Sequence, residues 1–126
     1  MRKKILILED DKINQHLLGI YLKKDYETKI VGTVAEAMDE VLNSSYDLII
    51  SDLNLGNNAD GDGSDFLKFV QSNKHLKHIP VAVYSGYEHP DKSKGIKLSA
   101  YISKPISKSD FLNTVSNILF PEQQIG

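Results

Sequence analysis

Four short apolar runs punctuate the chain, and each stops at a residue able to do chemistry. Ile5-Leu6-Ile7-Leu8 stops at Glu9-Asp10. Leu48-Ile49-Ile50 passes through Ser51 to Asp52. Val81-Ala82-Val83-Tyr84 stops at Ser85, and Ala100-Tyr101-Ile102 leads through Ser103 to Lys104-Pro105. Runs this short and continuous predict strands at Lys4–Leu8, Asp47–Ser51, Val81–Tyr84 and Ala100–Ile102. The first two fit central strands covered on both faces. A fifth, Thr28–Gly32, is more polar and suits a sheet edge.

Helical spacing fills the gaps between strands. Ile13, Leu17, Ile20 and Tyr21 form one stripe within Lys12–Lys24, with Asp10 or Asp11 as cap. Val34, Met38, Val41 and Leu42 form a second after Thr33. Phe66, Leu67 and Val70 form a third after Ser64. Phe111, Leu112, Val115, Ile118 and Leu119 form the last, capped near Ser107 or Ser109 and closed by Pro121. Between Tyr87 and Leu98 the pattern is weak, broken by Pro90 and Gly95, and predicts only a short or mobile helix. Strands alternating with helices predict an α/β fold with right-handed crossovers. The dinucleotide-binding form needs a Gly-rich turn after the first strand. Here that turn is Glu9-Asp10-Asp11, which repels a pyrophosphate. The expectation is therefore a flavodoxin-like, doubly wound, five-stranded parallel sheet of order 2-1-3-4-5, with helices on both faces.

Composition narrows the chemistry. The 126 residues suit one domain, residues 1–126 with a core of about 3–120, and no output domain is expected. A net charge of −2 argues against direct nucleic-acid binding. The absence of cysteine excludes disulfides, thiolate metal sites and cysteine nucleophiles. The apolar run after Met1-Arg2-Lys3-Lys4 is too short for a signal core or a membrane span, so the expected location is the cytoplasm.

In a sheet of this order the strand ends share one crevice. Glu9, Asp10 and Asp52 repel one another there unless a cation is bound. Mg²⁺ matches such oxygen ligands, with Asp10 and Asp52 as direct ligands, Glu9 through water and the backbone carbonyl of Asn54 completing the set. Mn²⁺ is a possible substitute. A carboxylate held at such an ion can attack phosphorus. Lys104 supplies a second positive charge and Ser85 a hydroxyl for the phosphoryl oxygens. Any one of these residues alone reads as a turn or helix cap; the set reads as a site.

Together, these segments resemble the receiver domain of two-component response regulators, the chemotaxis-receiver type of fold. Ile5 to Asp11 is similar to the family's opening strand and acidic pair. Asp47 to Leu55 is similar to its phospho-acceptor strand, with Asp52 as acceptor. Pro80 to Gly86 is similar to the switch-hydroxyl strand, and Tyr101 to Ile106 to the lysine–proline strand end. The resemblance implies phosphoryl arriving from a sensor histidine kinase or histidine phosphotransfer protein, followed by self-dephosphorylation. It implies Ser85 and Tyr101 as switch residues and Pro105 as a cis-proline candidate. Asn54 and Tyr87 are expected to modulate dephosphorylation rate. The remaining partner expectations are a downstream protein target, no membrane and a phosphorylation-dependent dimer. The loop after Asp52 is about three residues longer than the family's usual one, and the stretch from Ser85 to Lys104 about three shorter.

Two other readings compete. A Mg²⁺-dependent phosphohydrolase with an aspartyl nucleophile wants a second Asp two residues on, where the chain has Asn54. A flavodoxin-like binding module for FMN wants hydroxyls and glycines where Glu9-Asp10-Asp11 stands. Asn58 to Gly63 imitates the start of a calcium loop, but its twelfth position is Phe69. His16, His75, His78 and His89 lack ligand spacing and are expected at the surface.

Overall fold

Alternation within the strands sorts the core into two layers. In the computed structural model, which describes residues 2–53, 63–86 and 95–123, β1 (Lys4–Leu8) sends Ile5 and Ile7 to one face and Leu6 and Leu8 to the other. β3 (Leu48–Ser51) divides Leu48 and Ile50 from Ile49 in the same way. β4 (Val81–Ser85) divides Ala82 and Tyr84 from Val81 and Val83. β2 (Glu27–Val31) and β5 (Ala100–Ser103) complete a five-stranded sheet of order β2-β1-β3-β4-β5. Every pairing is parallel. That is the predicted flavodoxin-like order, with the polar β2 at an edge.

α1 (Lys12–Leu22) and α4 (Lys108–Leu119) pack on the Ile5/Ile50/Tyr84 face, burying Leu18, Leu22, Phe111 and Val115. α2 (Val34–Asn43) and α3 (Gly63–Ser72) pack on the Leu6/Ile49/Val83 face, burying Val34, Ala37, Val41, Phe66, Leu67 and Val70. Asp11, Thr33 and Ser107 cap α1, α2 and α4, each side chain accepting a backbone N–H three residues on. A 3₁₀ turn, Pro121–Gln123, follows α4.

Two stripes differ from expectation. Ile13 and Ile20 are 78% and 45% exposed; of the predicted stripe Tyr21 packs half-buried against the core, and α1 buries Leu18 and Leu22 in place of the two isoleucines. On α2, Leu42 is 61% exposed and Ala37 takes its place in the core. In both helices apolar residues outnumber the positions one face can bury, so spacing alone allowed two stripes. β2 begins and ends one residue earlier than predicted, because Glu27 N–H bonds to the Lys3 carbonyl at 2.9 Å. Among the predicted surface histidines, His16, His75 and His78 are exposed; His89 lies outside the described residues. So do the weak segment's residues 87–94 and the calcium-like loop as far as Asp62. Among the described residues, no helix is long and apolar enough to cross a membrane.

Candidate phosphoryl-acceptor site

The ladder of the sheet carries four predicted site residues to one place. Leu8 pairs with Ser51, and the Asp52 N–H continues that ladder to the Leu8 carbonyl at 3.0 Å. Glu9 follows on the other side, its N–H bonded to the Val31 carbonyl at 3.0 Å. Ser85 pairs with Ser103, and the Lys104 N–H reaches the Ser85 carbonyl at 2.9 Å. Strand alternation then gives Glu9, Asp52 and Lys104 the phase of Ile7, Ile50 and Ile102, on the α1/α4 side.

The Lys104 ammonium donates to Glu9 Oε1 at 2.6 Å and to Asp52 Oδ2 at 2.8 Å. Glu9 is 1% exposed and Asp52 7%. Asp10 is exposed at the rim, and one carboxylate oxygen from each of Glu9, Asp10 and Asp52 lies within 4.8 Å of the others. Three carboxylates facing one ammonium leave an excess of negative charge, so this cluster can hold a metal ion, as a hard divalent cation requires. Glu9 also accepts the Asp11 N–H at 3.0 Å, and Gln15 Nε2 donates to the Glu9 carbonyl at 2.6 Å. These bonds fix the acidic turn to the start of α1.

Burial pushes the Glu9 carboxyl above its ordinary range, against the pull of the Lys104 and Asp11 bonds. Lys104 loses hydration as well, yet its bonds to Asp52 and Glu9 outweigh that loss and hold its pKa above the ordinary lysine value. At neutral pH the ammonium is therefore charged.

Ser85 is buried at the end of β4, beside the Lys104 backbone. Tyr101 is half-buried and packs toward the α2/α3 core. The Lys104–Pro105 peptide is cis. Asn54 and Tyr87 lie outside the described residues.

Two residues escaped the sequence reading. Lys104 Nζ stands over the ring of Tyr84, 5.0 Å from its centroid. Tyr84 shares its phase with Ala82, on the face of the sheet that also carries Ile102, but nothing in the sequence around it points to the ammonium. Gly63 begins α3 against the acceptor strand, and a Cβ there would stand 1.6 Å from the Asp52 carbonyl oxygen. Its N–H bonds to the Leu53 carbonyl at 3.2 Å. A glycine at the start of a predicted helix was the only trace of that contact.

Known proteins are similar to this chain along nearly its whole length. The profile of the response regulator receiver domain matches residues 5–116. The polar-differentiation response regulator DivK of Brucella ovis is 30% identical over 123 residues, covering 94% of this chain and 98% of that protein. The solved Mn²⁺-bound form of response regulator Rcp1 is 28% identical with a TM-score of 0.75, over 98% of this chain and 97% of that one. The phosphorylated cyanobacterial phytochrome response regulator RcpA is 29% identical with a TM-score of 0.77, over 98% of each chain. With the profile and the sheet order in agreement, the chain belongs to the response regulator receiver domain family of two-component signalling.

Proposed function

We propose that this chain is a phosphorylation-switched signalling receiver whose acceptor is Asp52. The observation that carries the reading is the Lys104 ammonium bridging Glu9 and Asp52, with Asp10 completing an acidic cluster at the strand ends. Receiver domains are regulatory, and the chemistry here is confined to the domain's own phosphoryl group.

A carboxylate oxygen of Asp52 attacks phosphorus of a phosphohistidine on a sensor kinase or phosphotransfer protein. A P–O bond forms, the P–N bond breaks, and the imidazole nitrogen keeps the electron pair. Water later attacks the phosphorus, the bond from phosphorus to the Asp52 oxygen breaks, that oxygen keeps the electron pair as the restored carboxylate, and inorganic phosphate leaves. Asp10 and Asp52, with Glu9 through water and the Asn54 carbonyl, would hold Mg²⁺, which when bound neutralises charge on the phosphoryl oxygens. Mn²⁺ fits the same ligands, and the Mn²⁺-bound and phosphorylated forms of two relatives support both halves of the reading. Lys104 places positive charge at the phosphoryl group, and the Ser85 hydroxyl donates to one of its oxygens. The new charge, about −2, then draws Ser85 and Tyr101 into a different packing, which a downstream protein reads. Ile13, 78% exposed in the first turn of α1 and three residues from Asp10, offers the phosphodonor an apolar contact beside the site. Asn54 and Tyr87 tune the lifetime of the phosphoryl group.

The test is transfer of labelled phosphoryl from a histidine-phosphorylated donor protein. Mg²⁺-dependent label on wild type and none on Asp52→Asn is the expected result. Equal labelling of the two proteins would overturn the assignment of Asp52.

A further inference from the structure

Lys104 is a long side chain with a single charge, and its ammonium meets two carboxylates and an aromatic ring. The side chain is 16% exposed, and its ammonium is bonded to Glu9 and Asp52. The ammonium also stands over the ring of Tyr84, 5.0 Å from the centroid. A partly desolvated ammonium at this distance is attracted by the negative face of an aromatic ring. Tyr84 itself is fixed. It is 1% exposed, and its ring meets Phe111 edge-on, with centroids 6.0 Å apart. Phe111 in turn meets Tyr21 of α1 at 5.8 Å. The ring under Lys104 is thus held by both helices of that layer.

The Tyr84 hydroxyl is buried and, among the described residues, has no hydrogen-bond partner. A buried hydroxyl without a partner costs stability. The side chain is therefore explained by its ring and not by its oxygen.

We infer that Tyr84 is a positioning residue: the face of its ring seats the Lys104 ammonium where it bridges Glu9 and Asp52. The inference rests on the proposed role of Asp52 for its effect on phosphoryl uptake, and on geometry alone for the contact itself. An aliphatic residue in its place fills the layer but leaves the ammonium without its second support. The carboxylates then hold a side chain free to swing toward water, which weakens the charge that Asp52 needs beside it.

Two experiments separate the parts of the claim. The first is a double-mutant cycle in unfolding stability across wild type, Tyr84→Leu, Lys104→Gln and the double variant. Coupling is expected: once Lys104 is gone, losing the ring costs less, by roughly tenfold in the folding equilibrium constant. Strict additivity would overturn the inference. Should Tyr84→Leu fail to fold, Tyr84→Met takes its place in the same cycle. The second is the rate of Mg²⁺-dependent phosphoryl uptake from acetyl phosphate. Tyr84→Phe is expected to match wild type and to be at least as stable, while Tyr84→Leu takes up phosphoryl about tenfold more slowly at saturating donor. A Tyr84→Phe variant as slow as Tyr84→Leu would assign the effect to the hydroxyl and overturn the ring's role. If wild type takes up no phosphoryl at all, the reading of Asp52 fails, and the stability cycle still decides the ring–ammonium contact.

Discussion

Replacing Gly63 by alanine tests how tightly α3 is set against the acceptor strand. The added Cβ would stand 1.6 Å from the Asp52 carbonyl oxygen, 2.7 Å from its carbon and 2.8 Å from Ser51 Oγ. Real carbon atoms do not approach that closely, and two of the three obstacles are backbone. Relief requires α3 to back away from β3, or the Asp52 peptide to turn. The first opens the layer that buries Phe66, Leu67 and Val70. The second breaks the Ser51 hydroxyl's bond to the Asp52 carbonyl, 2.9 Å long, and swings the acceptor carboxylate away from Lys104. Overpacking of a well-filled core costs about 1–3 kcal/mol, and a backbone clash belongs at or above the upper end. A loss of about 3 kcal/mol corresponds to roughly 10 °C in Tm for a domain of this size. Thermal and urea unfolding measure that loss, and phosphoryl uptake measures the displaced acceptor. Gly63→Ala as stable as wild type, with unchanged uptake, would refute the reasoning.

Three further predictions follow from the same geometry. Lys104→Gln removes the ammonium that bridges the buried carboxylates of Glu9 and Asp52, which costs about 3 kcal/mol at neutral pH in denaturant unfolding without divalent cations. Glu9 is already raised by burial and rises further in that variant; because the folded state then holds its proton more tightly than the unfolded chain, the loss shrinks as pH falls, and a pH-independent loss would contradict this. Tyr46 donates to Glu40 Oε1 at 2.5 Å, and burial followed by that bond raises its pKa. Its stabilisation is complete below the ordinary tyrosine pKa and is lost as pH rises through the folded value, so unfolding midpoints should fall with rising alkaline pH in wild type and fall less in Tyr46→Phe. Ile13→Ser should change stability by less than about 0.5 kcal/mol, since the side chain is exposed, yet slow transfer from a phosphorylated donor protein while sparing uptake from acetyl phosphate.

Much of this architecture was legible because four of the five strands announce themselves twice, by unbroken apolar runs and by the polar residues that follow them. Glu9, Asp52 and Lys104 were readable as partners because parallel strands deliver their ends to the same side of a sheet, whatever their separation in sequence. The buried faces of α1 and α2 were less legible. Ile13, Ile20 and Leu42 satisfy helical spacing as well as Leu18, Leu22 and Ala37 do, and only the sheet beneath decides which set is covered. Tyr84 and Gly63 were hidden for a different reason. Their roles depend on what lies across the layer from them, an ammonium in one case and a backbone carbonyl in the other. No local pattern encodes a neighbour contributed by a distant segment.

The central claim is that Asp52 takes a phosphoryl group with the help of this acidic cluster. Intact mass after incubation with acetyl phosphate, with and without Mg²⁺, tests it most directly when wild type and Asp52→Asn run side by side. The account predicts a gain of one phosphoryl in wild type, only with Mg²⁺, and none in the variant. Folded wild type that gains nothing, or a variant that gains as much as wild type, would contradict it.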